Sequence, residues 1–440
     1  MRQKESNYRT KKARFAAKVG GYAMPDGRHI LAILVLGLAP VALAGDWPQF
    51  RGPNRDGIST ETGLLRSWPE GGPEVLWSTE VGQGYSAAAI HGGRVYFNDY
   101  DESASQFLVR CLTLDEGKEL WRFKEARRIR PNHGITRSVP ATDGKYVFSI
   151  DPKATLHALD AATGEEIWRK SFVQDYGAKI PPWYNGQNPL IEDDRLIVAP
   201  VGPSALVVAL DKATGKEIWR TPNPEGWLLS HASPMPAKLG GVEQYLFSVL
   251  QGTVGIAAAD GKLLWHFPFK FNISVSPSPL AIDSERVYVT AAYDSGGAMF
   301  RVRRNGESFA TEEIFGHRAD EWNSEVQTPI LFKDHMFAVG KKKRGLFTCL
   351  DLNGKQVWTS EGHAYFGLGS FILADGMFFI LEGKTGMLRL LEASTTGYKE
   401  LAKAQILGGH DVWGPLALSD GKLVMRDFGR MVCVKVKKDG

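Results

Sequence analysis

One short phrase recurs along the chain: Leu-Asp, a turn ending in Gly, two polar residues, an aliphatic residue, then Trp. It reads Leu159-Asp160-Ala161-Ala162-Thr163-Gly164-Glu165-Glu166-Ile167-Trp168 and returns as Leu210-Asp211-Lys212-Ala213-Thr214-Gly215-Lys216-Glu217-Ile218-Trp219. Shorter copies end at Trp121, Trp265 and Trp358, each Trp four residues after its Gly; degenerate copies end at Phe315 and Leu401. Counted from Trp77, these positions lie 43 to 51 residues apart. A period of that size restricts the chain to repeat architectures, in which each unit buries its apolar faces against its neighbours.

Between the phrases lie short runs of β-branched and aromatic residues joined by tight-turn signals. Asp143-Gly144 precedes Lys145 to Phe148, Gly92-Gly93 precedes Arg94 to Phe97, and Asp420-Gly421 precedes Lys422 to Met425. Such runs read as strands in hairpins, and no stretch after residue 45 keeps a helical period. Each period then holds four strands, the content of a propeller blade. Blade starts read at Ser86, Ser138, Asn188, Ala232, Ser276, Val326, Gly369 and Gly414. The expected fold is all-β, an eight-bladed β-propeller of four-stranded antiparallel blades, with seven blades as the alternative count. The last blade has residues for only three strands, and Glu74 to Ser78 is a phrase-end strand with no blade before it. That strand is expected to complete blade eight and close the ring, which removes exposed edges.

Within the phrase, Trp77, Trp121, Trp168, Trp219, Trp265 and Trp358 are expected to pack between neighbouring sheets. The Gly should supply a positive φ and the Asp should bind turn amides. Cys111, Cys349 and Cys433 stand where other copies hold Ala158 and Ala209, so they read as small packing residues. They are too few and scattered for a disulfide framework or a Cys-x-x-Cys metal site.

Three segments are expected. Residues 1–44 carry eight Lys/Arg against two Asp/Glu and an apolar run from Ile30 to Leu43, ending in Ala42-Leu43-Ala44. The run is short of the roughly 20 residues that span a bilayer, and the pattern is that of a secretory signal peptide cleaved after Ala44, with Met1 or Met24 as the start. Residues 45–73 form an arm rich in Pro, Gly and Trp, expected to lie against the propeller's flank. Residues 74–440 form the propeller. The exported chain is expected to be periplasmic or secreted, monomeric, and without a membrane span. Past residue 44 the balance is 45 basic to 47 acidic residues, so the formal +4 of the whole chain belongs to the leader. This is no bulk-charge nucleic-acid binder. Neither His-Glu-x-x-His nor Gly-x-Ser-x-Gly occurs, which leaves zinc- and serine-hydrolase readings without support.

The Leu-Asp-x-x-Thr-Gly-x-x-Ile-Trp phrase, repeated around a ring, resembles the pyrroloquinoline quinone (PQQ) repeat, or quinoprotein-like, propeller family over residues 74–436. The resemblance implies one of two activities. Some members are PQQ- and calcium-dependent alcohol or sugar dehydrogenases. Others, similar to the outer-membrane assembly propeller BamB, bind protein and no quinone. The dehydrogenases carry adjacent cysteines, and here no two cysteines are adjacent. There is no Cys-x-x-Cys-His for haem and little length for pocket-building insertions. The resemblance therefore implies a non-catalytic scaffold of the cell envelope, with protein partners and no cofactor. A PQQ dehydrogenase is the alternative, and a carbohydrate- or small-ligand-binding propeller a further one.

Ligands of propellers meet the loops that enter the innermost strands. Here those loops carry His133 and Arg137, Asn185 and Asn188, His231, Asn272, Glu321 with Asn323 and Glu325, Tyr365, His410, Asp411 and Trp413. If calcium binds, Glu325 and Asn323 supply its hard oxygen ligands; in an enzyme, Glu321 or Asp411 would be the general base. Arg127, Arg128 and Arg130 form a second cluster, which reads as a solvated loop paired with nearby acids or as a carboxylate or phosphate site. Lys341 to Arg344 reads as an exposed basic hairpin tip.

Overall fold

The computed structural model describes residues 45–340 and 345–438. The proposed signal peptide and the basic tip at 341–344 lie outside the described residues. Eight antiparallel sheets of four strands each stand around one axis, and a fifth, parallel strand is added to the seventh blade. Blade one runs from Ala89–His91 to Glu119–Ala126, and each following blade repeats its in-to-out order. The ring closes as expected. Val75–Glu80 pairs with Arg430–Lys435, bringing Trp77 opposite Cys433. One short α-helix, Phe172–Tyr176, is found among the described residues, between an Ser171 N-cap and Gly177. None of their helices is long and apolar enough to cross a membrane.

The repeated phrase locks each blade to the next. The indole of Trp168 covers the turn of the following blade at Gly215, and its Nε1 donates to the Lys212 carbonyl at 3.1 Å. A Cβ on Gly215 would fall 2.7 Å from that ring, and the backbone there has φ +68°. Glycine is therefore required twice, for the left-handed turn and for the close approach. Trp77 stands the same way over Gly117 and Trp121 over Gly164, their Nε1 atoms donating to Leu114 and Ala161 carbonyls. Asp160 Oδ1 accepts from the amides of Ala162 and Thr163, which holds the turn that presents the glycine.

Facing each Trp across its own sheet is a small residue: Cys111 opposite Trp121, Cys349 opposite Trp358, Ala158 opposite Trp168, Gly255 opposite Trp265. All three cysteines are free and buried, and burial pushes their thiols up to about 12. They make room for an indole, and at such a pKa the thiolate that does redox or metal chemistry is suppressed.

One detail adds to the sequence reading and one differs from it. The residue before each Trp is the extra residue of a β-bulge, as the register slips between Glu166 and Trp168 show for Ile167. Bulging turns these aliphatic side chains outward, and Ile167 and Ile218 are 46% and 47% exposed. In blade seven the bulge falls on Leu401, so Ala402, not Leu401, occupies the Trp position, opposite Leu390. The lengthened turn shifts the count by one residue. No aromatic locks that seam; Trp68 of the arm packs in the same cluster as Leu401 and Ala402 instead.

The arm departs further from expectation. Its first part crosses the central channel rather than lying on the flank. Trp47 exchanges backbone hydrogen bonds with Ile90 of blade one's innermost strand, and Thr142 N of blade two donates to Pro48 O. Gln49 Oε1 accepts from Ile191 N of blade three. Arg51 donates to Thr328 and Pro329 carbonyls of blade six, while Arg55 donates to the Pro189 carbonyl of blade three. Ile58–Ser59 then pairs in parallel with Leu373 and Ala374 of blade seven, and Glu61 accepts from Gly421 N of blade eight. The innermost strands leave backbone groups facing the axis without a sheet partner, and the arm supplies those partners.

Candidate functional site

The loops that enter the innermost strands converge on the axis and bound a cavity of about 540 Å³. Six of the thirteen sequence-predicted residues line it: His133, Arg137, Asn188, His231, Glu325 and Trp413. The structure adds Phe50, Tyr85, Trp183, Ile273, Ser274 and Tyr293. Phe50 comes from the arm, which thus contributes to the funnel's lining. Tyr85 and Trp413 immediately precede the first and last blade starts. They stack with centroids 5.1 Å apart and planes 6° from parallel. An aromatic directly before a blade start was the available signal for Tyr85.

Arg137 is the central cation of the funnel. Its Nε donates to Trp183 O at 2.8 Å and its Nη2 to Asn132 O at 2.9 Å, with Cζ 5.3 Å from the Tyr85 ring centroid. Its partners are neutral carbonyls, and no carboxylate of the described residues forms an ion pair with it. Burial lowers its pKa, an effect that the Tyr85 and Tyr293 hydroxyls oppose. His231 meets Trp183 edge-on, and its Nε2 lies 3.1 Å from Tyr184 O. Burial, then the nearby Arg137 charge, push its pKa down to about 3. The ring is therefore neutral at physiological pH, and Nε2 carries the proton it donates to that carbonyl.

Asn188 has a structural task in the same wall. Its Oδ1 accepts from Val139 N at 2.5 Å, and its own N–H donates to Ser233 Oγ. Ser233 N donates to Ser278 Oγ and Ser278 N to Thr328 Oγ1. This belt stitches blades two to six at one level.

The other predicted residues do not line the cavity. Asn323 is buried and donates Nδ2 to Ala291 O, Glu321 accepts from Arg318 N, and Tyr365 is half exposed. His410 Nδ1 lies 3.3 Å from Asp411 Oδ2. Asn185 donates to Ser138 Oγ and Asn272 to Tyr293 O. In the arginine cluster, Arg127 pairs with Glu125 and with the fully buried Asp151, while Arg128 and Arg130 are exposed.

A quinone–calcium centre does not fit these residues. Glu325 is the one carboxylate of the lining, and Asn323, the oxygen donor it would need beside it, is buried outside the lining with its Nδ2 bound to Ala291 O. Among the described residues no three His, Cys, Asp or Glu side chains gather to hold a metal ion. Calcium takes six to eight oxygens, several of them carboxylate.

Comparison with known proteins bears on the fold and the family. A family model described as outer membrane protein assembly factor BamB matches residues 105–360. BamB of Shewanella oneidensis is 23% identical over 270 residues, covering 54% of this chain and 62% of that protein, so the chain spans less than two thirds of it. The crystal structure of BamB from Moraxella catarrhalis superposes with a TM-score of 0.58 at 15% identity, over 83% of this chain and 98% of that one. Quinohemoprotein alcohol dehydrogenase ADHIIG from Pseudomonas putida HK5 gives 0.62 at 12% identity, over 90% and 81%. At these identities the two structures show a common fold and leave function open. The family match runs from the third strand of blade one to the end of blade six, and by it the chain belongs to the family of the outer membrane protein assembly factor BamB.

Proposed function

We propose that this chain is a non-catalytic binding protein of the cell envelope, exported by its leader, which holds a protein partner at its loop face and takes no quinone. One observation carries the reading. A second cleft of about 320 Å³ adjoins the funnel, shares Trp183 and Ile273 with it, and is walled by Ile180, Pro203, Trp227 and Leu229. Leu228, Ile273 and Tyr293 at this face are each nearly half exposed. A contiguous apolar surface beside a polar funnel is the make-up of a protein interface.

The test is crosslinking in the native host followed by purification of the exported chain, with wild type beside Leu228→Glu and Ile273→Glu. A defined envelope protein lost from both variants supports the reading. Equal recovery from all three overturns the assigned face. Titration with PQQ and calcium, read by tryptophan emission and dye-linked oxidation of alcohols and sugars, probes the enzyme alternative; turnover would sink the scaffold reading. Mass spectrometry of the exported chain should give Gly45 as its first residue.

A further inference from the structure

The channel holds an unusual excess of buried positive charge. Arg51 and Arg55, four residues apart on the arm, are 7% and 0% exposed, and their guanidinium groups bind backbone carbonyls alone. Arg55 Cζ lies 5.6 Å from the ring centroid of Phe50, which lines the funnel. Arg137 stands in the funnel wall, again bound only to carbonyls. Three guanidinium groups stand against two carboxylates, Glu325 in the lining and Asp56 beside Arg51, and the excess sets a positive potential in a cleft with low-dielectric walls, where such fields are strongest.

Two further atoms point to an occupant. Tyr85 OH and Ser274 Oγ belong to lining residues that are each 7% exposed, and neither hydroxyl has an acceptor for its proton, the Gly134 amide being the polar group that faces the Tyr85 oxygen. Buried hydroxyls without partners are uncommon and costly. Both can donate to an anion that Arg137 draws in, and the Tyr85–Trp413 stack with Trp183 offers flat apolar walls beside them.

We propose that the funnel binds a peptide carboxylate flanked by apolar side chains, with Arg137 as its cation and Tyr85 and Ser274 as donors. This rests on the protein-partner reading above and names what part of a partner the funnel takes. The carboxylate is either an acidic side chain or a chain terminus.

The experiment is titration of the purified exported chain, followed by tryptophan emission. Three probes are used: acetyl-Ala-Phe-Glu-Phe-Ala-amide, its Gln counterpart, and acetyl-Ala-Phe-Ala with a free terminal carboxylate. Saturable quenching by the Glu peptide alone assigns a side-chain carboxylate, and by the terminal one alone a C-terminus. Arg137→Gln should weaken the binding peptide tenfold or more, as expected for a lost charge-assisted hydrogen bond, and Glu325→Gln should tighten it. Tyr85→Phe keeps the ring stack and should weaken binding a fewfold, which preserves the test if Arg137→Gln misfolds. Equal binding of the Gln peptide, no saturation by either acid at millimolar concentration, or benzoate binding as tightly as the peptides would overturn the proposal. A partner captured equally by wild type and Arg137→Gln would overturn it while leaving the scaffold reading intact.

Discussion

At the seam between blades two and three, Trp168 lies on Gly215 and donates to the Lys212 carbonyl. In the channel, Arg55 donates to the Pro189 carbonyl from a segment that follows no repeat. Both contacts satisfy a backbone carbonyl, yet they are built by different means. The seam uses a flat indole, a left-handed glycine and one neutral hydrogen bond, and the same parts recur over Gly117 and Gly164. The channel uses cations held by backbone carbonyls and not by ion pairs, each placed once. The difference teaches where stability and specificity reside: a repeated neutral contact can be copied around the ring at little risk, whereas buried unpaired charge persists only where the surroundings hold it.

The comparison can be broken most severely from the channel side. Removing residues 46–61 should cost more than any point change, on the order of 5 kcal/mol or above, since truncating a buried aromatic such as Trp47 alone costs about 3–5 kcal/mol. Urea unfolding should show the drop, and equal midpoints for the two chains would mean the arm merely rests in the channel. Next comes the seam. Gly215→Val should lose about 2–4 kcal/mol, combining left-handed strain with a clash against Trp168. Gly226→Ala is the reference, because Gly226 has φ +62° but open space around it, and should lose only about 1–2 kcal/mol.

A finer test separates packing from hydrogen bonding. The Nε1 of Trp168 has a carbonyl partner, whereas the buried Nε1 of Trp219 has none. Trp168→Phe should therefore cost about 1 kcal/mol more than Trp219→Phe, read as the difference between two thermal-unfolding shifts.

The smallest effect concerns pH. His157 is fully buried between Glu166, 2.7 Å away, and Asp151, 3.6 Å away. Burial opposes its charge, but the two carboxylates outweigh that and raise its pKa above 6.5. For Asp151 and Glu166 burial is likewise outweighed, by the His157 and arginine partners, and their pKa values fall below 3.8 and 4.5. The histidine's contribution is complete below pH 6.5 and is lost as pH rises through its raised folded value. The carboxylates contribute above their ordinary values and lose that contribution on acidification. This network should support folding best between pH 4.5 and 6.5. His157→Gln should flatten the decline above pH 6.5 in a series of unfolding midpoints; an unchanged slope would place the decline elsewhere.

Much of the ring was legible because its signals are local. A Gly four residues before a Trp marks a turn and the strand after it, and a lone phrase-end strand at Glu74 to Ser78 calls for a partner at the other end of the chain. The funnel was legible in part: residues just ahead of blade starts, such as His133, Arg137 and Trp413, reach the axis. Asn323 and Tyr365 share that sequence neighbourhood, yet one is buried against Ala291 and the other faces solvent, because the loop's path and not its composition aims the side chain. At Leu401 the phrase misleads by one residue, since a longer turn moves the bulge without leaving a mark in the spacing.

The sequence by itself determined the all-β class, the eight four-stranded blades, ring closure and a repeat position that takes small residues such as Cys111 and Ala158, all consequences of hairpin pairing and a period near 45 residues. Tertiary structure alone decided that the arm fills the channel, that Phe50 lines the funnel and that the aliphatic residue of the phrase faces outward. Arg51 and Thr328 are 277 residues apart. The carbonyl that Arg51 meets becomes available only once eight blades have turned their innermost strands toward one axis, and no local pattern can encode a partner that the closed ring creates.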